Sequence, residues 1–457
     1  MKLNTKRTVL VGFAFFSICA FWQMYDNVVP LILSNTFRLN ETLSGAIMAA
    51  DNVLALFLLP LFGGLSDRIN TKIGRRMPFI LGGTILAVGL MNILPHLAGG
   101  YYSSPSNALL IGFVVVLGML LISMGTYRSP AVALMPDVTP KPLRSKGNAI
   151  INLMGALGSL IYLGIAAVLY SDGNIEKFFT LGSFVDAEGA TVAVVDYGVL
   201  FAVVSAIMAA AVAVLFLTVK EPKLSAENKA YEQAHPEENL AQVTAEGTEQ
   251  LPKEVKRSLI FVLISISLWF IGYNGVTTWF TTYISRVMGE GLGGASTCLL
   301  VANGGAIVSY IPIGALASKI GRKKTIMGGV ILLASCFLLG FVTTINAKSI
   351  TVPMYILFAL VGLAWAAINV NSLPMVVEMC TGSEVGKFTG YYYTFSMAAQ
   401  VVTPILAGTL LRNVGYWTLF PYAALFVAAS FVTMLQVKHG DNKVEAKKGL
   451  EAFDVED

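Results

Sequence analysis

Twelve times along this 457-residue chain a stretch of about twenty apolar residues runs on with at most one charge inside it, and short charged segments separate the stretches. About twenty residues is the helical length that crosses roughly 30 Å of hydrocarbon. Membrane strands need only about ten and alternate polar with apolar. These runs do not alternate, so they read as helices. The composition agrees: 55% of residues are hydrophobic and 13% charged, against about 25% charged in an average soluble domain. Spans are expected at 9–33, 42–65, 78–98, 108–135, 148–170, 197–219, 258–285, 295–317, 326–346, 352–376, 388–411 and 415–437.

An even number of spans puts both termini on one side. Arg38, Lys177, Arg286, Lys348 and Arg412 fall on the opposite side and Arg128 within a span. That leaves about 25 Lys and Arg on the side of the termini, which the positive-inside rule assigns to the cytoplasm. The first run follows Lys2, Lys6 and Arg7 as a signal peptide would. It is long, lacks a small-residue cleavage site and precedes eleven further spans, so it reads as a retained helix. The expected setting is a plasma membrane, bacterial and cytoplasmic, with the chain multi-pass in lipid. Residues 1–219 form one six-span bundle, 220–257 a polar cytoplasmic linker, 258–437 a second bundle and 438–457 a charged tail. The linker cannot bury enough apolar surface to fold alone. Residues 171–195 form the other long loop.

The two halves resemble each other. After span 2 stand Gly63, Gly64, Asp67 and Arg68, then Gly74-Arg75-Arg76. After span 8 stand Gly314, Ser318 and Lys319, then Gly321-Arg322-Lys323-Lys324. Span 4 ends in Ser129-Pro130 and Pro136-Asp137, span 10 in Ser372, Pro374 and Glu378. Repeated halves suit a transporter that rocks about a central site. The Gly-x-x-x-Asp-Arg…Gly-Arg-Arg loop resembles the signature of the major facilitator superfamily. The stretches SDRINTKIGRRMPFILGG and RSPAVALMPDVTPKPLRSKGNAIINLMGALG resemble its sucrose-transporter branch and the related glycoside–pentoside–hexuronide cation symporters. The resemblance implies an all-α membrane protein of twelve transmembrane helices in two six-helix bundles, without cofactor and without enzymatic chemistry. It also implies an inner gate built from Asp67, Arg68, Arg75, Arg76, Asp137, Arg144, Arg322 and Glu378. There an acid sits at a neighbouring helix N-terminus, and arginines meet acids across the bundle interface. Two departures stand out. The paired aspartates of melibiose-type sodium symporters align with Ala55 and Leu59, and the sugar-binding aspartate of plant-type sucrose carriers aligns near Leu121.

An ionised side chain inside a span costs at least about 2.5–3.5 kcal/mol, so each one is informative. Asp26 in span 1 and Asp51 in span 2 sit at similar depth, as candidates for ion coupling. Arg128 in span 4 joins them by analogy, because helices 1, 4, 7 and 10 line the cavity in this superfamily. The plainer alternative is structural pairing or snorkelling to headgroups. Sugars need hydroxyl partners and flat apolar faces, and the spans offer Trp22, Gln23, Tyr25, Asn27, Tyr273, Asn274, Trp365, Asn369, Asn371, Tyr392 and Gln400. Trp279 and Tyr283, nearer a span end, fit an interfacial belt equally well.

Cys19, Cys298, Cys336 and Cys380 match no metal or disulfide spacing. His96, His235 and His439 form no catalytic constellation, and no nucleotide-binding Walker loop is present, so ATP does not drive this chain directly. The expected function is a proton-coupled symporter of a small glycoside or disaccharide, acting as a monomer on a small-molecule substrate and protons, without nucleic acid. Two other readings stay open. A drug or metabolite antiporter would carry a Gly-x-x-x-Gly-Pro motif in span 5, where this chain has Gly155-Ala-Leu-Gly158 and no proline. A non-transporting sensor would add a signalling domain larger than this linker.

Overall fold

The structure is a computed structural model that describes residues 3–140, 143–185, 191–234, 252–345, 347, 349–379 and 385–441. Cys380, His235 and Lys348 lie outside the described residues. Among the described residues twelve helices are long and apolar enough to cross a membrane. They are α1 (Thr5–Leu31, continuing as a π-turn over Ile32–Thr36), α2 (Glu41–Arg68), α3 (Met77–Ser103), α4 (Asn107–Val138), α5 (Arg144–Leu169) and α6 (Gly198–Thr218) in the first half. The second half holds α7 (Lys253–Val287), α8 (Leu292–Ile320), α9 (Arg322–Thr344), α10 (Val352–Val377), α11 (Val385–Asn413) and α12 (Leu419–Leu435). The sequence reading places every one, with edges off by a few residues.

Local chemistry sets several of the ends. The Asn40 side chain accepts from the Leu43 amide at 2.9 Å and starts α2. Gly321 has φ +97° where α8 turns directly into α9, a conformation that glycine adopts without strain. Outward faces are apolar and bare, as at Phe57 and Val308, which suits contact with lipid rather than water.

The packing repeats with a shift of six helices. In the first half α1 lies on α5 and α6, α3 on α4 and α6, and α2 on α4. In the second half α7 lies on α11 and α12, α9 on α10 and α12, and α8 on α10. Small residues allow the closest of these approaches: a Cβ on Gly158 would meet the Phe16 carbonyl of α1. The halves meet through α2 against α11 and through α5 against α8, with α1 touching α7 between them.

The two ends of the molecule differ. At the end carrying the α5–α6 loop, a two-stranded antiparallel hairpin, β1 (Thr180–Val185) and β2 (Thr191–Val195), packs on the π-turn of α1. The halves are joined at this hairpin end. Asn35 donates to Ser285 (3.2 Å), Arg286 to the Ser34 carbonyl (2.9 Å) and Tyr416 to Glu41 (2.5 Å). The Gly291 amide donates to Asp172 (2.8 Å) and the Gly293 amide to the Tyr170 carbonyl (2.9 Å). The opposite, terminal end carries Leu3 and Asp441, the first and last described residues, and a helix over Glu221–Ala234 that extends from α6 and packs against α4. Arg7 pairs with Glu227 of this helix at 3.3 Å, and Ser258 bonds His439 at 2.9 Å.

Candidate functional site

Between the halves runs a cavity whose lobes share lining residues. The largest, of about 790 Å³, is walled by α2, α4, α7, α10 and α11. It reaches from Asn52 and Arg128 past Leu59, Pro60 and Pro136, towards the terminal end. Hydrogen bonds between the halves close the hairpin end of this cavity. A second lobe of about 290 Å³ lies deeper and holds Trp22, Asp26, Asp51, Asn52, Arg128, Asn274 and Gln400. A third, of about 180 Å³, sits between α1, α5, α7, α8 and α10, and contains Asn152, Ser159, Asn303, Tyr310 and Asn369.

The deep lobe gathers the charges that single spans could not justify alone. Asp26 of α1, Asp51 of α2 and Arg128 of α4 line it together. Asp51 accepts from the backbone amide of Asn52 at 2.6 Å and from its side chain at 2.8 Å. The Arg128 guanidinium lies over the Trp22 ring, 5.8 Å from its centroid, a distance at which the ring's quadrupole attracts a cation. Among the described residues no ion pair joins Arg128 to either carboxylate. The Trp22 indole N–H and the Asn274 amide N–H are buried without a partner. Buried donors are normally satisfied, so these two, beside the half-buried Arg128 guanidinium, mark a place for a ligand rich in acceptors.

Aromatic surface lies beside them. Tyr273 of α7 and Trp365 of α10 stack with centroids 3.7 Å apart and planes 5° from parallel. Trp365 and Asn369 face both the large and the third lobe. Tyr392 lines the large lobe with Tyr393, and its hydroxyl is 3.1 Å from that of Ser372. Ala55 and Leu59, the positions aligned with the sodium aspartates, are apolar walls of the same lobe. Leu121 is packed into the core instead.

Three residues expected at the cavity lie elsewhere. Tyr25 is 1% exposed and its hydroxyl points to the Met48 carbonyl at 3.5 Å, in the α1–α2 seam. Asn27 is fully buried, with Gln23 donating to it at 3.5 Å. The Asn371 side chain turns back to the Ala367 carbonyl of its own helix at 2.9 Å. Each belongs to a helix with a cavity face but sits on another face of it. Trp279 and Tyr283 are neither belt nor cavity residues. They are buried and donate to the Pro404 carbonyl (3.1 Å) and to Thr344 (2.6 Å). Conversely, the reading passed over Asn152 and Asn303, although each is an amide inside an apolar run, the signal that marked Asn274.

At the terminal end each half carries its own charge cluster. Arg75 bonds Asp137 at 3.1 and 2.5 Å, and Arg76 bonds Asp137 at 2.8 Å and also pairs with Asp67. Arg322 bonds Glu378 at 2.6 Å. Arg144 donates to the Thr139 carbonyl at 3.2 Å, and Arg68 is exposed. Arg75, Arg76 and Arg322 therefore meet acids of their own half. The acid at a helix N-terminus is also a different one. Glu221, first residue of the helix after α6 and 1% exposed, accepts from the amides of Arg75 (2.8 Å), Arg76 (2.9 Å) and Met77 (2.9 Å) where α3 begins. Asp441, just past α12, does the same for α9 through the Lys323 amide at 3.0 Å. Desolvation acts to lower the pKa of Arg76, but its bonds to Asp137 and Asp67 outweigh this and hold it above the usual arginine value.

The family model of the Major Facilitator Superfamily matches residues 11–310 and 293–454. A sucrose transport protein of Arabidopsis thaliana is 25% identical over 138 residues, 28% of this chain and 23% of that protein. One of Oryza sativa subsp. japonica is 23% identical over 252 residues, 51% of this chain and 45% of that protein. The chain thus spans less than half the length of these relatives. Among solved structures, the xylose transporter of E. coli in an inward open conformation covers 97% of both chains at 15% identity, TM-score 0.65. A bacterial homologue of the iron transporter ferroportin in an inward-facing state covers 95% of this chain and 99% of its own at 10% identity, TM-score 0.68. With twelve spanning helices and a repeat of six, these matches identify the chain as a member of the Major Facilitator Superfamily, a multi-pass membrane transporter rather than an enzyme.

Proposed function

We propose that the chain imports a small glycoside or disaccharide together with protons by alternating access, as a monomer, with the terminal end in the cytoplasm. The observation that carries the substrate class is the composition of the cavity. Unpartnered donors on Trp22 and Asn274, the Arg128 guanidinium and the carboxylates of Asp26 and Asp51 stand beside the stacked Tyr273–Trp365 pair. A polyol both gives and takes hydrogen bonds and has an apolar ring face, which matches donors, acceptors and aromatic surface in one place. The similarity to sucrose transport proteins supports the same class.

Coupling is assigned to Asp26 and Asp51, the two acids inside the spans that face the substrate lobe. Proton loading changes the charge beside Arg128, and so ties the availability of its guanidinium to the proton. The excess of Lys and Arg on the terminal side supports a cytoplasmic terminal end, and the open cavity is then an inward-facing one. Uptake of labelled glycosides into proteoliposomes under an imposed pH or sodium gradient tests the reading. Accumulation that follows the proton gradient is expected. Accumulation that follows sodium and ignores pH overturns the coupling, and indifference to every glycoside overturns the substrate class.

A further inference from the structure

The hairpin end holds a three-part contact that none of the transport steps above uses. Phe184 of β1 lies beneath two guanidiniums: that of Arg38, 4.6 Å from the ring centroid, and that of Arg286, 5.2 Å away. Arg38 belongs to the same half as Phe184. It follows the π-turn of α1 and has φ +54°, a backbone region that non-glycine side chains rarely adopt. Arg286 comes from the last turn of α7, in the other half. The same Arg286 also donates to the Ser34 carbonyl at 2.9 Å, beside the Asn35–Ser285 bond.

Two like charges over one ring repel each other, and the ring's negative quadrupole offsets that repulsion. Arg38 stays with Phe184 whatever the halves do, because the π-turn and the hairpin pack together. Arg286 does not: it leaves with the second half when the hairpin end opens. The geometry points to Phe184 as a clamp on the closed hairpin end, an aromatic face on one half that grips Arg286 of the other only while that end is shut, and so sets how often the cavity opens there. A plain apolar plug would need bulk at position 184 but no π-face. The strained backbone of Arg38 fits a residue held in place to complete the contact.

The test reads the opening directly. Spin labels go on Ser104→Cys in the α3–α4 loop and Ser349→Cys in the α9–α10 loop, both exposed, in a background without the four native cysteines. The distance distribution between them is measured in lipid nanodiscs for the parent and for Phe184→Ala, Phe184→Leu and Phe184→Trp. Loss of the face in Ala and Leu is expected to raise the open-to-closed ratio at this end by about two- to fivefold. Trp, with a stronger face, is expected to lower it. A Leu variant that matches the parent shows that bulk, not the face, holds the end, and overturns the clamp. So does a Trp variant that opens as Ala does. Leu keeps the hydrophobic volume and Trp the ring, so a fold defect in Ala leaves the other two arms to decide.

Discussion

Glu221 gives the sharpest energetic prediction. Its carboxylate caps the start of α3 by accepting from three successive backbone amides at 2.8–2.9 Å, while 99% of the residue is hidden from water. Replacing an N-cap acceptor costs about 0.5–2 kcal/mol when one amide is lost to solvent. A buried donor left unsatisfied costs about 1–3 kcal/mol. Three donors are involved here, part of whose loss incoming water restores, so Glu221→Ala should cost about 3–4 kcal/mol. The control is Glu227→Ala, six residues further along the same helix and half-exposed, paired with Arg7 across 3.3 Å. An exposed pair of that kind is worth about 0–1 kcal/mol. Thermal unfolding of the purified protein in one detergent should therefore show a large loss for Glu221→Ala and almost none for Glu227→Ala. Glu221→Gln, which keeps one acceptor oxygen, should fall between them. Equal melting of the Glu221 and Glu227 variants would refute the capping argument.

Other outcomes follow from the cavity and the hairpin end. Arg128→Lys keeps the charge but loses the planar fork, so substrate affinity should fall about tenfold or more in a binding assay; near-normal affinity and accumulation would leave only a snorkelling role. Asp26→Asn and Asp51→Asn should still exchange glycoside across proteoliposome membranes but fail to concentrate it, and full accumulation by both would remove them from coupling. Burial raises the pKa of Glu290, and the nearby Asp172 of the other half adds to the rise while the Ile350 amide opposes it. Closing the hairpin end then takes up a proton, so lowering pH should favour closure, seen as a shorter inter-half label distance. Glu290→Gln, which still accepts from Ile350, should flatten that pH dependence.

How much of this was readable before the fold was known differs by residue. The spans were legible because apolar length is the one quantity a bilayer reads directly. Asp26, Asp51 and Arg128 were legible because a charge inside a span has so few tolerable surroundings, and all three line one lobe. Tyr25 and Asn27 flank Asp26 and were drawn in with it. Yet each step along a helix turns the side chain by about 100°, so neighbours in sequence face different partners. Glu221 was invisible for the opposite reason: an acid at the head of a polar stretch looks solvated until α3 is seen to begin against it. The partners of the gate arginines were not legible because a sequence does not state which side is open, and arginines that face acids of the other half in one state can pair within their own half in another.

The two capping acids also fix where this chain can be divided. Glu221 follows the last span of the first half, and Asp441 the last span of the second. Each reaches back to the third helix of its own half. A half is therefore not complete when its sixth span ends, but only once the chain has returned to tie its own loop. Splitting the gene at residue 219 would hand Glu221 to the wrong fragment and leave α3 without its cap. A split placed beyond Ala234 keeps cap, helix and the Arg7–Glu227 pair on one piece. The structural border between the two halves thus lies past the last span of the first, downstream of where hydropathy would draw it.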